Sequence, residues 1–204
     1  MNKLVSIAAA CLAGALPLWP SSALRLDFSQ LSRQADQVVA GKIIKITSEI
    51  DPKTGLIYSK VALAAVSAIP AVLGGKPYEF RMIGGEYGGK KLWIAGFPEL
   101  KTGQEVVLFL AHDTAAVFGP TVGLWQGVYF VERGGGSGAE QVLDPMRRPV
   151  LGVRGGDTIL GLEPSRPVGQ TEAKGSSPLG VKEFMEAVLA ARSAAAGSGA
   201  LARD

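Results

Sequence analysis

The chain has 204 residues, of which 47% are apolar and 19% are charged, and its formal net charge is +3. This apolar content excludes an intrinsically disordered polymer, which cannot bury enough apolar surface to offset its conformational entropy. The small excess of basic residues disfavours a nucleic-acid partner, because proteins that bind nucleic acids concentrate Lys and Arg on one face.

Residues 1–23 have the pattern of a signal peptide. A basic start precedes a mainly apolar run from Leu4 to Leu18, and Ser21-Ser22-Ala23 has the small residues of a cleavage site. The run is shorter than the ~20 residues that cross a bilayer as a helix, so we expect no membrane span after cleavage. Cleavage also removes Cys11, the only cysteine, and leaves a mature chain without disulfides. We expect export to the periplasm or the cell exterior; a retained anchor and a lipoprotein linked at Cys11 are the alternatives.

The mature chain opens with a short helix and continues as several short strands. Asp27 can cap the helix, and Gln30 three residues later completes a capping-box pattern. Gly41 interrupts the first strand, which predicts a bulge or a tight bend there. The predicted strands are Val38–Ile46, Ile57–Val66, Tyr78–Met82, Val106–Leu110, Val128–Glu132 and Gln141–Leu143.

Short strands separated by turns predict a sandwich or a small barrel. A bend at Gly41 favours closure of the sheet. The expected fold class is therefore mainly β, a small OB-like antiparallel β-barrel with a short N-terminal helix and a C-terminal amphipathic helix. The expected organisation is a signal peptide at 1–23, the β-barrel domain at 24–163, a linker at 164–178, the helix at 179–197 and a frayed tail at 198–204.

The C-terminal helix is predicted from the spacing of its apolar residues. Positions i, i+3, i+4, i+7 and i+8 of one face are Val181, Phe184, Met185, Val188 and Leu189. An apolar stripe of this kind indicates a helix that docks on the barrel. A helix that binds a partner is the alternative.

Residue types that support catalysis are scarce. His112 is the only histidine, so histidine-based zinc triads are absent, and its position after a predicted core strand indicates a surface turn. The acidic residues are scattered, and no Gly-x-Ser-x-Gly elbow is present. We therefore expect no enzymatic activity, no catalytic residue, no metal and no cofactor. A hydrolase that uses acidic residues or His112 stays open as an alternative.

The glycine-rich segment after the third predicted strand is the candidate binding loop. It lacks the Gly-Lys-Ser/Thr of a phosphate-binding loop, because Lys91 follows Gly89-Lys90. Its glycines allow positive φ angles, so the segment can form a shaped loop at one end of the sheet. The alternative is that Trp93, like Trp125, fills the core. The candidate binding residues are Glu86, Tyr87, Lys90, Lys91, Trp93 and Phe97.

A series of motifs between Asp27 and Val131 resembles a known family. The motifs, in chain order, are Ala35-Asp36 before Val38–Ile43, Gly84-Gly85-Glu86, Gly88-Gly89, Gly96-Phe97-Pro98, Gly103-Gln104-Glu105 before Val107–Leu110, and Gln126–Phe130. This order resembles a widespread, uncharacterised family of exported bacterial proteins with an OB-like barrel. It is more distantly similar to netrin modules and tissue inhibitors of metalloproteinases. Those inhibitors chelate zinc through an N-terminal cysteine, which this chain lacks, so the resemblance implies a fold and no mechanism.

These observations predict an exported, non-enzymatic binding or assembly module that acts through protein–protein contacts. Its expected partner is another exported protein or a second copy of itself. The alternatives are a structural subunit of an extracellular or envelope assembly, and a hydrolase or protease-inhibitor-like protein.

Overall fold

The computed structural model describes residues 24–71, 76–94, 97, 99–111, 119–134, 138–161 and 177–200. The predictions for the signal peptide, Cys11, His112, most of the linker and residues 201–204 lie outside these ranges. The two helices are α1 (Phe28–Gln34) and α2 (Val181–Ala200), and a short 3-10 helix spans Leu124–Gly127. The strands are β1 (Gln37–Ile50), β2 (Ile57–Ile69), β3 (Tyr78–Ile83), β4 (Gly85–Tyr87), β5 (Lys90–Leu92), β6 (Glu105–Leu110), β7 (Val128–Arg133), β8 (Glu140–Leu143), β9 (Val150–Arg154) and β10 (Asp157–Leu160).

Six of the strands form one large antiparallel sheet. Its order is β3-β2-β1-β6-β7-β8, and two separate hairpins are formed by β4 with β5 and by β9 with β10. The predicted mainly β class, with one helix near each end, is confirmed. The strands that the structure describes do not close into a hydrogen-bonded barrel, because β3 and β8 remain the two edges of the sheet.

Two hairpins were missing from the predicted strands. The predicted loop at 84–98 contains the β4–β5 hairpin, whose turn is Gly88-Gly89 with both φ angles positive. Two such residues in sequence favour the tight turns that join antiparallel strands. The β9–β10 hairpin has mostly half-buried residues and therefore lacks the alternation of buried and exposed positions that predicts a strand.

The predicted irregularity at Gly41 is confirmed by the pairing of β1 with β2. Ala40 lies opposite Ser67 and Gly41 lies opposite Ala65, so Val66 is an extra residue on β2. Its side chain is 78% exposed, as expected for a residue that a bulge removes from the alternation. A Cβ atom on Gly41 would lie only 2.3 Å from the Ala64 carbonyl oxygen, so the close approach of the two strands requires glycine.

Helices α1 and α2 cover one face of the sheet. The capping box of α1 is present, with the Gln30 amide donating to Asp27 at 2.7 Å and the Asp27 amide donating to Gln30 at 2.9 Å. Phe184 of α2 is buried against α1 and the sheet, while Leu189 on the same apolar stripe is 49% exposed. The C-terminal helix therefore docks on the sheet through most of its predicted stripe.

The start of α2 differs from the predicted residue 179. The Leu179 amide donates to the Val150 carbonyl and the Leu179 carbonyl accepts from the Val142 amide, both at 2.8 Å. These bonds tie Leu179 to both β8 and β9, outside the helix, which begins at Val181. The segment before α2 thus covers part of the β8 edge.

The opposite face of the sheet carries a second buried cluster. Residues of β1, β2, β6 and β7 form its centre, and both edge strands contribute to it through Phe80 of β3 and Leu143 of β8. This buried face therefore runs across all six strands of the sheet, from one edge to the other. We call this cluster the inner core.

Candidate functional site

The six candidate residues lie on or beside the β4–β5 hairpin, at the rim of the inner core. Trp93 is 62% exposed and Tyr87 is 48% exposed, so neither fills the core. Phe97 was expected on an exposed recognition surface. It is buried instead and forms part of the wall of the site. Trp125 lies elsewhere, in the 3-10 helix, and is half-buried.

Backbone and hydroxyl contacts fix the hairpin onto β1 and β2. The Gly84 amide donates to the Ile57 carbonyl at 2.8 Å, and the Ser59 hydroxyl donates to the Gly84 carbonyl at 2.8 Å. Gly85 has a φ of 127°, and a Cβ atom there would lie 2.3 Å from Ser59 Oγ and 2.5 Å from Ser48 Oγ. The glycines thus let the hairpin backbone approach the serines directly.

The hairpin borders a half-open cavity of about 200 Å³ that we call the Trp93 cavity. Its apolar lining comes from the ends of β1, β2, β3 and β5 and from the segment after β5, namely Ile46, Val61, Met82, Ile83, Leu92, Trp93, Ile94, Phe97 and Leu100. Four of the six candidate residues line it: Glu86, Lys91, Trp93 and Phe97. Tyr87 and Lys90 flank the glycine turn of the hairpin and lie outside the lining.

Three charged side chains stand at the rim of the Trp93 cavity. Lys91 Nζ lies 3.0 Å from Glu99 Oε1, and this hydrogen bond raises the pKa of Lys91 and lowers that of Glu99. Glu86 lies opposite Lys91 in the hairpin register but forms no ion pair within the part of the chain that the structure describes. The lining therefore carries two carboxylates and one ammonium group, and that ammonium group bonds Glu99 directly and interacts with Glu86 at longer range.

Two serine hydroxyls form a directed chain in the wall of the cavity. Ser48 Oγ and Ser59 Oγ are 3.0 Å apart. A hydroxyl has one proton, and that of Ser59 goes to the Gly84 carbonyl, so Ser48 must donate to Ser59. The remaining lone pairs of Ser48 can accept a hydrogen bond from a molecule in the cavity.

Ser48, Ser59 and Glu99 were absent from the sequence-based candidates. The serines could have been found from the sequence Asp51-Pro52-Lys53-Thr54-Gly55, whose Pro and Gly are typical of a turn, because a hairpin closed there places Ser48 opposite Ser59. Glu99 lies in irregular backbone, where no periodic pattern reveals which residues share a surface.

Other acidic residues of the described chain hold turns in place. Asp144 is buried, and its carboxylate accepts from the amides of Met146 and Arg148 and from the Arg148 guanidinium at 2.6–2.9 Å. Asp51 accepts from Arg81 at 2.8 Å and from the Lys53 amide, and these bonds lower its pKa to about 2. Both carboxylates have structural partners in the turns they occupy.

Comparisons with known proteins give no relative from which a role could be transferred. Among the residues described here, no three metal-ligating side chains come together, and no helix is long and apolar enough to cross a membrane. No protein-family model, curated protein or solved structure matches the chain.

Proposed function

We propose that this protein is an exported, non-enzymatic module that binds another protein at the Trp93 cavity. The observation that carries the proposal is the 62% exposed Trp93 beside a mainly apolar cavity, on a hairpin that is hydrogen-bonded to β2 and packed against Ser48 and Ser59. Exposed tryptophan is enriched among the residues that dominate binding energy at protein interfaces. Its large ring offers apolar area at a low cost in side-chain entropy.

The size of the cavity favours a side chain over a metabolite. Its volume of about 200 Å³ is below the ~300–1,000 Å³ of sites that enclose drug-sized ligands. Protein interfaces commonly insert one anchoring side chain into a pocket of the partner while neighbouring contacts exclude water. Tyr87 and the charged rim are placed to provide such neighbouring contacts.

We propose more specifically that the six-stranded sheet forms an OB-like barrel. Both edge strands contribute to the inner core, and Gly119 packs against β3 so closely that a Cβ atom would lie 2.9 Å from Met82 Cβ. OB folds are partly open barrels, so incomplete pairing of the edges is compatible with this form. Export is proposed from the signal-peptide pattern of residues 1–23.

Assembly through β2 is the second candidate function. Residues Ala64–Ile69 of β2 extend beyond β3, and no other described strand pairs with them on the side away from β1. They carry no charge, and Val66 is largely exposed. Proteins usually protect such edges with charged residues or proline, so an uncharged edge is suited to pairing in an assembly.

Trp93→Ala tests the proposed function directly. With the wild-type protein as bait, the partner is captured from the native exported fraction and identified by mass spectrometry. We expect Trp93→Ala to weaken its capture by about tenfold or more, the effect of losing an interface hot spot, and Tyr87→Ala to weaken it less. Both variants should keep the native circular dichroism spectrum, because both side chains are exposed.

The matched control is Met146→Ala, which removes another exposed apolar side chain that does not line the cavity. Its capture of the same partner should equal that of the wild type. Undiminished capture by folded Trp93→Ala would remove the cavity from consideration.

A further inference from the structure

The charge balance at the Trp93 cavity favours a cation. Glu86, Glu99 and Lys91 line it, so the formal charge of the lining is negative, and Lys101 acts from outside the lining on Glu99, not on Glu86. Lys91 is held at 3.0 Å by Glu99 and interacts with Glu86 only at longer range, so Glu86 is the rim carboxylate without a direct salt bridge in the described chain. An incoming positive charge would find that carboxylate accessible at the exposed rim.

The hydrogen-bonding groups in the wall of the cavity also favour a cation, because they accept hydrogen bonds and have no proton left to donate. The chain from Ser48 through Ser59 to the Gly84 carbonyl uses both hydroxyl protons. Ser48 therefore offers an acceptor, as Glu86 does. A ligand group rich in N–H donors fits these acceptors, whereas a carboxylate would meet them without a proton to share.

The apolar lining of the cavity suits the methylene stem of a long basic side chain, and the Trp93 indole suits its charged end. The methylene stems of Lys and Arg pack along apolar surfaces while their charged ends stay near water. The stem would lie along Ile46 and Met82, and a cation at the rim would lie near the Trp93 ring. Cations are attracted to the faces of aromatic rings, and tryptophan is the most favourable of them.

We propose that the Trp93 cavity recognises a lysine or arginine side chain of the protein partner, with the charged end between Glu86 and Trp93. This inference rests on the proposed function and specifies the chemistry of the partner. A neutral aliphatic anchor would use the apolar lining alone and leave the acceptors of Glu86 and Ser48 unused. An acidic anchor would be repelled by Glu86.

Blocked tripeptides of the form Gly-x-Gly test this inference, with arginine, lysine, norleucine or glutamate as the central residue. Binding is followed by NMR on the isotope-labelled protein, through the Trp93 indole N–H and the amides of β4 and β5. We expect saturable shifts with the arginine and lysine peptides, and at least fivefold weaker binding of the norleucine and glutamate peptides. Added salt should weaken binding of the basic peptides, because the rim charges are exposed and screened.

Glu86→Gln supplies the second arm of the test. It should reduce the affinity for the arginine peptide at least fivefold and leave the norleucine peptide unaffected. Glu79→Gln is the matched control, because Glu79 is an exposed carboxylate on β3 that does not line the cavity. The inference is overturned if no peptide binds, if norleucine binds as well as arginine, or if Glu86→Gln has no effect.

These outcomes separate the inference from the proposed function. If capture of the partner depends on Trp93 but the peptides show no preference for a cation, the Trp93 cavity remains the proposed interface. The proposal that it recognises a lysine or arginine side chain is then wrong. If basic peptides bind while Trp93→Ala captures the partner normally, the cavity has the proposed selectivity but is not the site of capture.

Discussion

Phe184→Ala is expected to lower the free energy of unfolding by about 3–5 kcal/mol, the usual cost of removing a buried phenylalanine ring. The Phe184 side chain is fully buried, with its ring centroid 4.9 Å from that of Tyr129 and 5.3 Å from that of Phe28. It therefore joins α2 to both α1 and the sheet. Denaturant unfolding followed by circular dichroism measures the loss.

Leu189→Ala is the control on the same helix. Leu189 belongs to the same apolar stripe but is about half exposed, so its truncation should cost less than about 1 kcal/mol because little buried area is lost. Equal losses for the two variants would contradict the docking of α2 through Phe184.

Gly41→Ala is expected to destabilise the protein by about 3 kcal/mol, at the upper end of the usual cost of overpacking. The added Cβ would meet the Ala64 carbonyl oxygen at 2.3 Å and the Ala65 Cα at 2.9 Å, and both belong to backbone that cannot rotate away. Strands β1 and β2 would have to separate at the bulge. Thermal and denaturant unfolding together measure the effect.

Gly152→Ala is the matched control for this substitution. Gly152 is also a strand glycine with an ordinary φ angle, but a Cβ atom there would meet only Ile159 Cδ1, at 3.8 Å. Its replacement should change stability by no more than about 0.5 kcal/mol. A Gly41→Ala protein as stable as Gly152→Ala would show that the two strands do not approach as closely as described.

The bulges explain why the sheet was easier to predict than the site. Strands buried on both faces, such as Val106–Leu110, stand out as apolar runs, and they were predicted to within one residue. In β1, however, Ile43 lies opposite Leu63 and Lys45 opposite Ala62, so Ile44 is an extra residue. One extra residue reverses which side chains face the core.

That reversal determines the lining of the Trp93 cavity. Before the bulge, odd-numbered Val39 and Ile43 face the inner core, whereas after it even-numbered Ile46 and Ser48 face the cavity. An uninterrupted alternation would place Ser48 on the opposite face. The position of the binding loop could be predicted from its glycines and aromatic residues. Its partners on β1 could be placed only by counting back from the turn after β1, because the bulge at Ile44 breaks the alternation that runs from the start of the strand.

Amide hydrogen exchange of the protein, alone and bound to its captured partner, tests the central claim most directly. Binding at the Trp93 cavity should slow exchange within Gly85–Trp93 and leave unchanged the part of β2 that extends beyond β3, at Ala64–Ile69. Slower exchange at Ala64–Ile69 or along α2, with the hairpin amides unaffected, would contradict the assignment and place the interface elsewhere.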